Sequence, residues 1–155
     1  MTINTFLEFC KFNNSIQSDK KINHGEFEIP KYVIEETIDE PGNKEFNYYS
    51  YNCENKTYYM RRLYWDEGFL THYLYHFRAA ELRKLLNEGN LYKYILTETR
   101  KANKIIDDCV TMMAQDNAEC QLALKNNDTE RYKKLLNNLR LIASESVYRN
   151  MVLVF

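Results

Sequence analysis

The sequence predicts a mainly α-helical fold: an antiparallel helical hairpin plus a third helix, with a small N-terminal β-hairpin or irregular portion that makes the class α+β. Three observations predict it. From Tyr59 onward, apolar residues recur at steps of three and four, the spacing of one helix face. Before that point, aromatic and β-branched residues cluster between turn formers, as strands do. The whole chain holds only 4 Gly and 2 Pro, which argues against a turn-rich β-sandwich.

Taken in order, Thr5 to Phe12 forms a short helix carrying Phe6, Phe9 and Cys10. Residues 13–25 are polar and read as a loop. Phe27, Ile29, Tyr32, Val33, Ile34 and Ile38 make a β-rich run that Pro30 interrupts. Pro41-Gly42-Asn43 is the strongest turn signal. Phe46 to Tyr51 and Lys56 to Met60 flank Asn52-Cys53-Glu54-Asn55, the pattern of a hairpin, because aromatic side chains favour a pleated surface and Asn tolerates the turn. Leu70, Leu74, Phe77 and Leu85 then recur at helical spacing, with Ala80, Leu82 and Leu86 widening the stripe. Gly89 ends this segment by supplying a left-handed residue.

Asn90 caps the next helix, whose apolar positions are Leu91, Tyr94, Ile95, Ala102, Ile105, Ile106, Cys109, Met112 and Met113. A short helix follows around Cys120 to Leu124. Asn126-Asn127-Asp128-Thr129 breaks it, and Asn127 with Glu130, or Thr129 alone, caps the last helix. That helix carries Tyr132, Leu135, Leu136, Leu139, Ile142, Ala143 and Val147. Two long amphipathic helices with a short polar connection pack most simply as an antiparallel hairpin. The tail from Met151 to Phe155 is too apolar to hang free and is expected to dock on the core, on a second copy or on a partner.

The length of 155 residues suits one domain, with an acidic, mixed β/loop portion over 1–57 and a helical portion over 58–155. Residues 1–59 hold 6 Lys/Arg against 10 Asp/Glu, and residues 60–104 hold 9 against 5. The overall net charge of −1 argues against a wholly electrostatic nucleic-acid binder. The N-terminus Met1-Thr2-Ile3-Asn4-Thr5-Phe6 lacks the features of a signal peptide, and the longest apolar run, Met151 to Phe155, is far too short to span a bilayer. Cys10, Cys53, Cys109 and Cys120 are scattered, with no CxxC pair. Reduced thiols in a cytoplasm, and no membrane association, are the expectation.

No GxSxG, P-loop, GxGxxG or spaced Cys/His arrangement is present, so no catalytic residue is assigned. His72 and His76 stand at i and i+4, which places two imidazoles on one helix face, as a metal requires. The residue after the first His is Tyr73 rather than the Glu of a zinc protease, and spacing implies no third ligand. An ordinary helix surface is therefore favoured, with no metal and no cofactor. The basic residues Arg61, Arg62, Arg78, Arg83, Lys84, Lys93, Arg100 and Lys104 are the candidate contacts to nucleic acid or a partner. Tyr58, Tyr59, Tyr64 and Trp65 surround the first two, and guanidinium groups beside rings suit phosphates and stacked bases. Glu26, Glu28, Glu35, Glu36, Asp39, Glu40 and Glu45 form an acidic strip that could mimic a phosphate backbone, though a solvated loop is the simpler reading.

Residues 58–155 resemble the transposon-encoded TnpV family. The features that match are Gly89-Asn90-Leu91 followed by Tyr94, then Ala102, Met113, Leu124-Lys125, and Asn138-Leu139-Arg140 before Ala143, Glu145 and Val147. Upstream, Met60-Arg61-Arg62 with Tyr64 is similar to the entry into the family's first helix, and Ile29-Pro30 echoes its N-terminal segment. The departures are Lys56-Thr57-Tyr58-Tyr59 where the family places Gly, Trp65-Asp66-Glu67-Gly68 in place of a Glu-His-Arg segment, and a divergent 31–57. The resemblance implies a transposon accessory protein, of a kind likened to excisionases. The expected function is a non-enzymatic accessory or regulatory protein of a mobile genetic element that binds protein or nucleic acid. The alternative is an inhibitor of a host defence nuclease, in the manner of an anti-CRISPR. A metal-dependent enzyme through His72 and His76 is a third, weaker class. The expected partner is a recombinase or a host nuclease complex, with direct DNA contact and a homodimer left open.

Overall fold

The computed structural model describes residues 2–12, 14–37 and 45–153 of the chain. It corrects the mainly α-helical expectation with its small N-terminal hairpin. Among the described residues, six helices are joined by a four-stranded antiparallel sheet and a two-stranded one, an α+β fold. The elements are α1 (Ile3–Phe12), β1 (Ser15–Gln17), β2 (Lys21–His24), β3 (Phe27–Pro30), β4 (Tyr32–Glu36), β5 (Phe46–Asn52), β6 (Thr57–Leu63), α2 (Asp66–Phe77), α3 (Ala79–Glu88), α4 (Leu91–Asp116), α5 (Ala118–Lys125) and α6 (Thr129–Leu153). The chain divides into two compact units, Met1–Leu96 and Thr97–Phe155, with the boundary inside α4.

In the first unit the sheet runs in the order β1-β4-β5-β6. Side chains alternate between its two faces, and the antiparallel register puts directly paired residues on the same face. Ile16, Ile34, Tyr48 and Arg61 therefore share one face, while Gln17, Val33, Tyr49 and Met60 share the other. On the first face, Phe46 packs on Tyr75 of α2 (ring centroids 5.3 Å apart) and Tyr48 stacks between Tyr32 and Tyr92 of α4 (6.2 and 6.1 Å). On the second face, Phe6 of α1 sits on Tyr49 and Tyr58 at 4.7 and 4.8 Å. Here Glu35 is buried, and its Oε1 accepts from Asn47 Nδ2 (3.0 Å) and Tyr49 Oη (3.1 Å). Cys10 is buried beside it; burial first, and then the Glu35 carboxylate, push its thiol from 9.0 up to about 12. The β2–β3 hairpin is fastened to the sheet through Tyr58 Oη, which donates to the Pro30 carbonyl, and through the pairing of His24 with Tyr51.

Residues 13–25, expected to be a loop, supply β1 and β2. Their pairing is nonlocal or marginal in length: Ser15 faces Glu35 across the sheet, and β2 has only four residues. The single helical segment expected before Gly89 is two helices, α2 and α3, broken at Arg78 (φ −136°, ψ 49°). Gly89 does end α3, at φ 75°. A Cβ there would meet Tyr32 Oη at 2.6 Å, so Gly serves both the left-handed turn and the close approach of the Tyr32 ring. Asn87 ties the end of α3 to the β1–β2 loop. Its Oδ1 accepts from the Asp19 amide (2.7 Å) and its Nδ2 donates to Asp19 Oδ2 (2.9 Å).

In the second unit, Ala114, Cys120 and Leu139 form a core, with Val110, Met113, Tyr132, Leu135 and Leu136 packed on it. Asn117 caps α5, its Oδ1 accepting from the Cys120 amide at 3.0 Å. Asp128, rather than Asn127 or Thr129, receives the amide of the first turn of α6, from Arg131 at 3.2 Å. Asx side chains favour this role because a short carboxylate or amide reaches the unsatisfied N–H groups of the first turn. Further along α6, Arg140 reaches Asp107 and Asn103, which lie one turn apart on α4. Helix α6 continues to Leu153, beyond the expected end near Val147. The rest of the apolar tail, and the turn at Pro41-Gly42-Asn43, lie outside the described residues. Replacing Leu139 by Ala should cost about 2–5 kcal/mol, because its neighbours Ala114 and Cys120 are too small to fill the space. Urea unfolding checks this, and an unchanged midpoint would contradict burial of Leu139 in this core.

Candidate functional site

The candidate contact residues occupy different places. Arg61 and Arg62 are neighbours on β6, an edge strand, and so point to opposite faces of the sheet. The Arg61 guanidinium lies over the Tyr92 ring at 4.2 Å and donates to its hydroxyl. Arg62 pairs with Glu45. Arg78 sits at the α2–α3 break, 4.0 Å from Glu81. Arg83 and Lys84 are exposed on α3, as is Lys93 on α4. Arg100 and Lys104, exposed on α4 in the second unit, stand four residues apart on one helix face.

The acidic strip is dispersed. Glu35 and Glu36 point to opposite faces of β4, the first buried and the second facing α2. Glu45 holds Arg62, and Glu26 and Glu28 are exposed on the β2–β3 hairpin. Asp39 and Glu40 lie outside the described residues.

The most unusual surface feature was not singled out by spacing. Trp65, the chain's only Trp, joins β6 to α2 at 79% exposure. Its backbone stands at φ 53°, ψ −123°, the first central position of a type II′ turn, which Gly ordinarily fills. A bulky side chain is strained there by about 1–3 kcal/mol, and burial of the indole does not offset that cost. Tyr64 packs edge-on against it, with centroids 5.8 Å apart. Tyr59 and Met60 on β6 are also more than half exposed, at 52% and 58%. The rim of the sheet is therefore a run of exposed aromatic, Met and Arg side chains ending in a strained Trp. A sequence signal existed in the Tyr64-Trp65 dipeptide before an acidic helix start, Asp66-Glu67, but the strain is visible only in the backbone.

At the same end of the sheet, Glu36, Phe46 and Leu63 form one cross-strand row. Glu36 faces α2, where His72 and His76 share a helix face with ring centroids 4.6 Å apart. His76 Nε2 lies 3.2 Å from Glu36 Oε1. One ligand atom from each of Glu36, His72 and His76 falls within 4.8 Å of the others. Spacing gave the His pair, but Glu36 is some forty residues away in sequence and only the sheet brings it there. Beside α1, a groove of about 200 Å³ lined by Phe6, Tyr49 and Tyr58 is smaller than ordinary ligand pockets.

Comparison with protein-family models, with curated proteins and with solved structures finds no match to this chain. Among the described residues, no helix is long and apolar enough to cross a membrane.

Proposed function

We propose that the protein is a non-enzymatic accessory or regulatory factor of a mobile genetic element, and that it acts by docking a protein partner on the rim formed by β6 and the Tyr64-Trp65 turn. The observation that carries this reading is Trp65, exposed and held in a conformation that costs stability. Strain retained without a packing benefit points to a role outside folding. Trp, Tyr and Arg are the residues that dominate protein interfaces, because they bring large rigid area with a polar handle. An edge strand also offers its outer backbone groups for strand addition.

Charge favours protein over nucleic acid at this surface. Arg61 and Arg62 are accompanied by Glu45, Asp66 and Glu67, so the rim carries no excess of cations, whereas phosphate binding depends on such an excess. The mobile-element setting rests on the TnpV resemblance of residues 58–155. The nuclease-inhibitor alternative draws on phosphate mimicry, which the divergent directions of Glu35, Glu36 and Glu45 do not favour.

Trp65→Gly tests the reading. Relief of the strained turn should raise folding stability by about 1 kcal/mol, while removal of the indole abolishes partner capture. Affinity capture from a host lysate, with and without nuclease treatment, compares this variant with the parent. Partners that survive nuclease and are lost with Trp65→Gly support the proposal. An identical captured set for the two proteins, or capture that vanishes on nuclease treatment, counts against it.

A further inference from the structure

We propose that Glu36, His72 and His76 form a mononuclear site for a divalent transition metal, with Zn²⁺ as the best-matched ion. The donor set is two imidazoles and one carboxylate, with ligand atoms within 4.8 Å of one another. Around a tetrahedral Zn²⁺ with bonds of roughly 2.0–2.1 Å, ligand atoms stand about 3.3 Å apart. Glu36 Oε1 and His76 Nε2 already meet that separation at 3.2 Å. The site is partly exposed, so its side chains have room to rotate toward an ion: Glu36 and His72 are half-buried and His76 is open to solvent.

The backbone around the ligands is fixed without the metal. The Asn14 carbonyl accepts from the Glu36 amide at 3.3 Å and from Tyr75 Oη at 2.6 Å. One carbonyl thus ties the end of β4 to α2, at Glu36 itself and at the residue before His76. The Phe46–Tyr75 ring contact clamps the same helix to the neighbouring strand. The i, i+4 spacing on an unbroken helix sets the two imidazoles on one face. A site whose backbone is already ordered loses little entropy on binding.

Chemistry selects the ion class. Imidazole suits Zn²⁺, Co²⁺ and Ni²⁺, whereas Mg²⁺ and Ca²⁺ prefer all-oxygen shells. Two neutral imidazoles and one carboxylate leave a bound divalent ion with one positive charge. Three protein ligands also leave a coordination position for water or for a donor from a partner. Bound metal would link β4 to α2 directly, so the folded state should gain stability with the logarithm of free metal concentration above the dissociation constant.

The probes are Zn²⁺, measured by competition with a chromophoric chelator, and Co²⁺, whose visible absorption reports coordination. A Cys53→Ser background removes the exposed thiol as a competing soft ligand. Saturable binding of one Zn²⁺ per chain is expected, with a rise in thermal midpoint that Mg²⁺ does not produce. Glu36→Gln and His76→Ala should each weaken the affinity by roughly tenfold or more. Both positions reach solvent, and circular dichroism should show each variant folded; His24→Ala serves as the histidine control and should keep parental affinity. The proposal is overturned if no one-to-one binding is seen, or if Glu36→Gln and His76→Ala bind as tightly as the parent. Neither result bears on Trp65, so the metal site and the docking rim stand or fall separately.

Discussion

Raising the pH above about 10 should unfold the first unit in a steep, cooperative step. Four acids in its sheet and first helix are held protonated by the fold. Cys10 is pushed from 9.0 to about 12 by burial and by Glu35. Tyr48 is pushed above its ordinary 10.0 by burial and then by Tyr32, Tyr49 by burial and then by Glu35, and Tyr58 by burial and then by Cys10. The sign follows from proton counting. Below the unfolded-chain values both states keep these protons, and the stability is fully present. Above them the unfolded chain releases protons that the native state retains, so stability falls until the native groups ionise as well.

Each such group removes about 1.4 kcal/mol per pH unit while the two states differ by one proton. Cys10 and Tyr48, both nearly inaccessible, therefore remove about 3 kcal/mol per unit above pH 10. Tyr49 and Tyr58 act in the same direction. At that rate, a stability at the lower end of the usual range of about 5–15 kcal/mol is lost within about two pH units. Urea unfolding at stepped pH gives the slope, and tyrosinate absorbance gives the ionisation. A tyrosinate step from Tyr48, Tyr49 and Tyr58 should coincide with loss of circular dichroism. A single broad titration of all 13 tyrosines with the fold intact would contradict the buried network.

Phe46→Ala should be a strongly damaging core substitution, at about 3–5 kcal/mol. Phe46 is fully buried in the middle of the row formed by Glu36, Phe46 and Leu63, and its ring carries Tyr75 of α2. Truncation removes transfer free energy and leaves a cavity between sheet and helix, beside the Asn14–Tyr75 hydrogen bond that also ties α2 down. Urea unfolding should show a lower midpoint at an unchanged slope. A loss below about 1 kcal/mol would mean that α2 does not rest on this ring.

The helical half was legible because its signal is local. On α4 the buried Leu91, Ile95, Ala102 and Ile106 recur at the expected steps, and Gly89 marks the preceding end. The β5–β6 pair was legible for the same reason: two aromatic runs flank an Asn-rich turn, and Asn52 Oδ1 accepts from the amides of Glu54 and Asn55. The β-rich run from Phe27 does supply β3 and β4, but which strands pair in the sheet was not legible. Both its faces are covered, so β4 reads as a continuous run, Val33-Ile34-Glu35 all buried, without the polar alternation that marks a half-exposed strand. β1 has three residues and becomes a strand only because β4 lies beside it.

The candidate sites divide along the same line. Sequence alone determined the i, i+4 pair of His72 and His76, the aromatic and basic cluster from Tyr58 to Trp65, and the end of α3 at Gly89, because each depends on residues within a few positions of one another. Only the tertiary structure decided that Glu35 is buried against Cys10, that its neighbour Glu36 meets the two histidines, and that Trp65 is exposed on a strained turn. The physical reason is that a strand sends successive side chains to opposite faces. Two adjacent glutamates that look equivalent in the sequence therefore enter different environments, and which environment each enters depends on strands and helices distant along the chain.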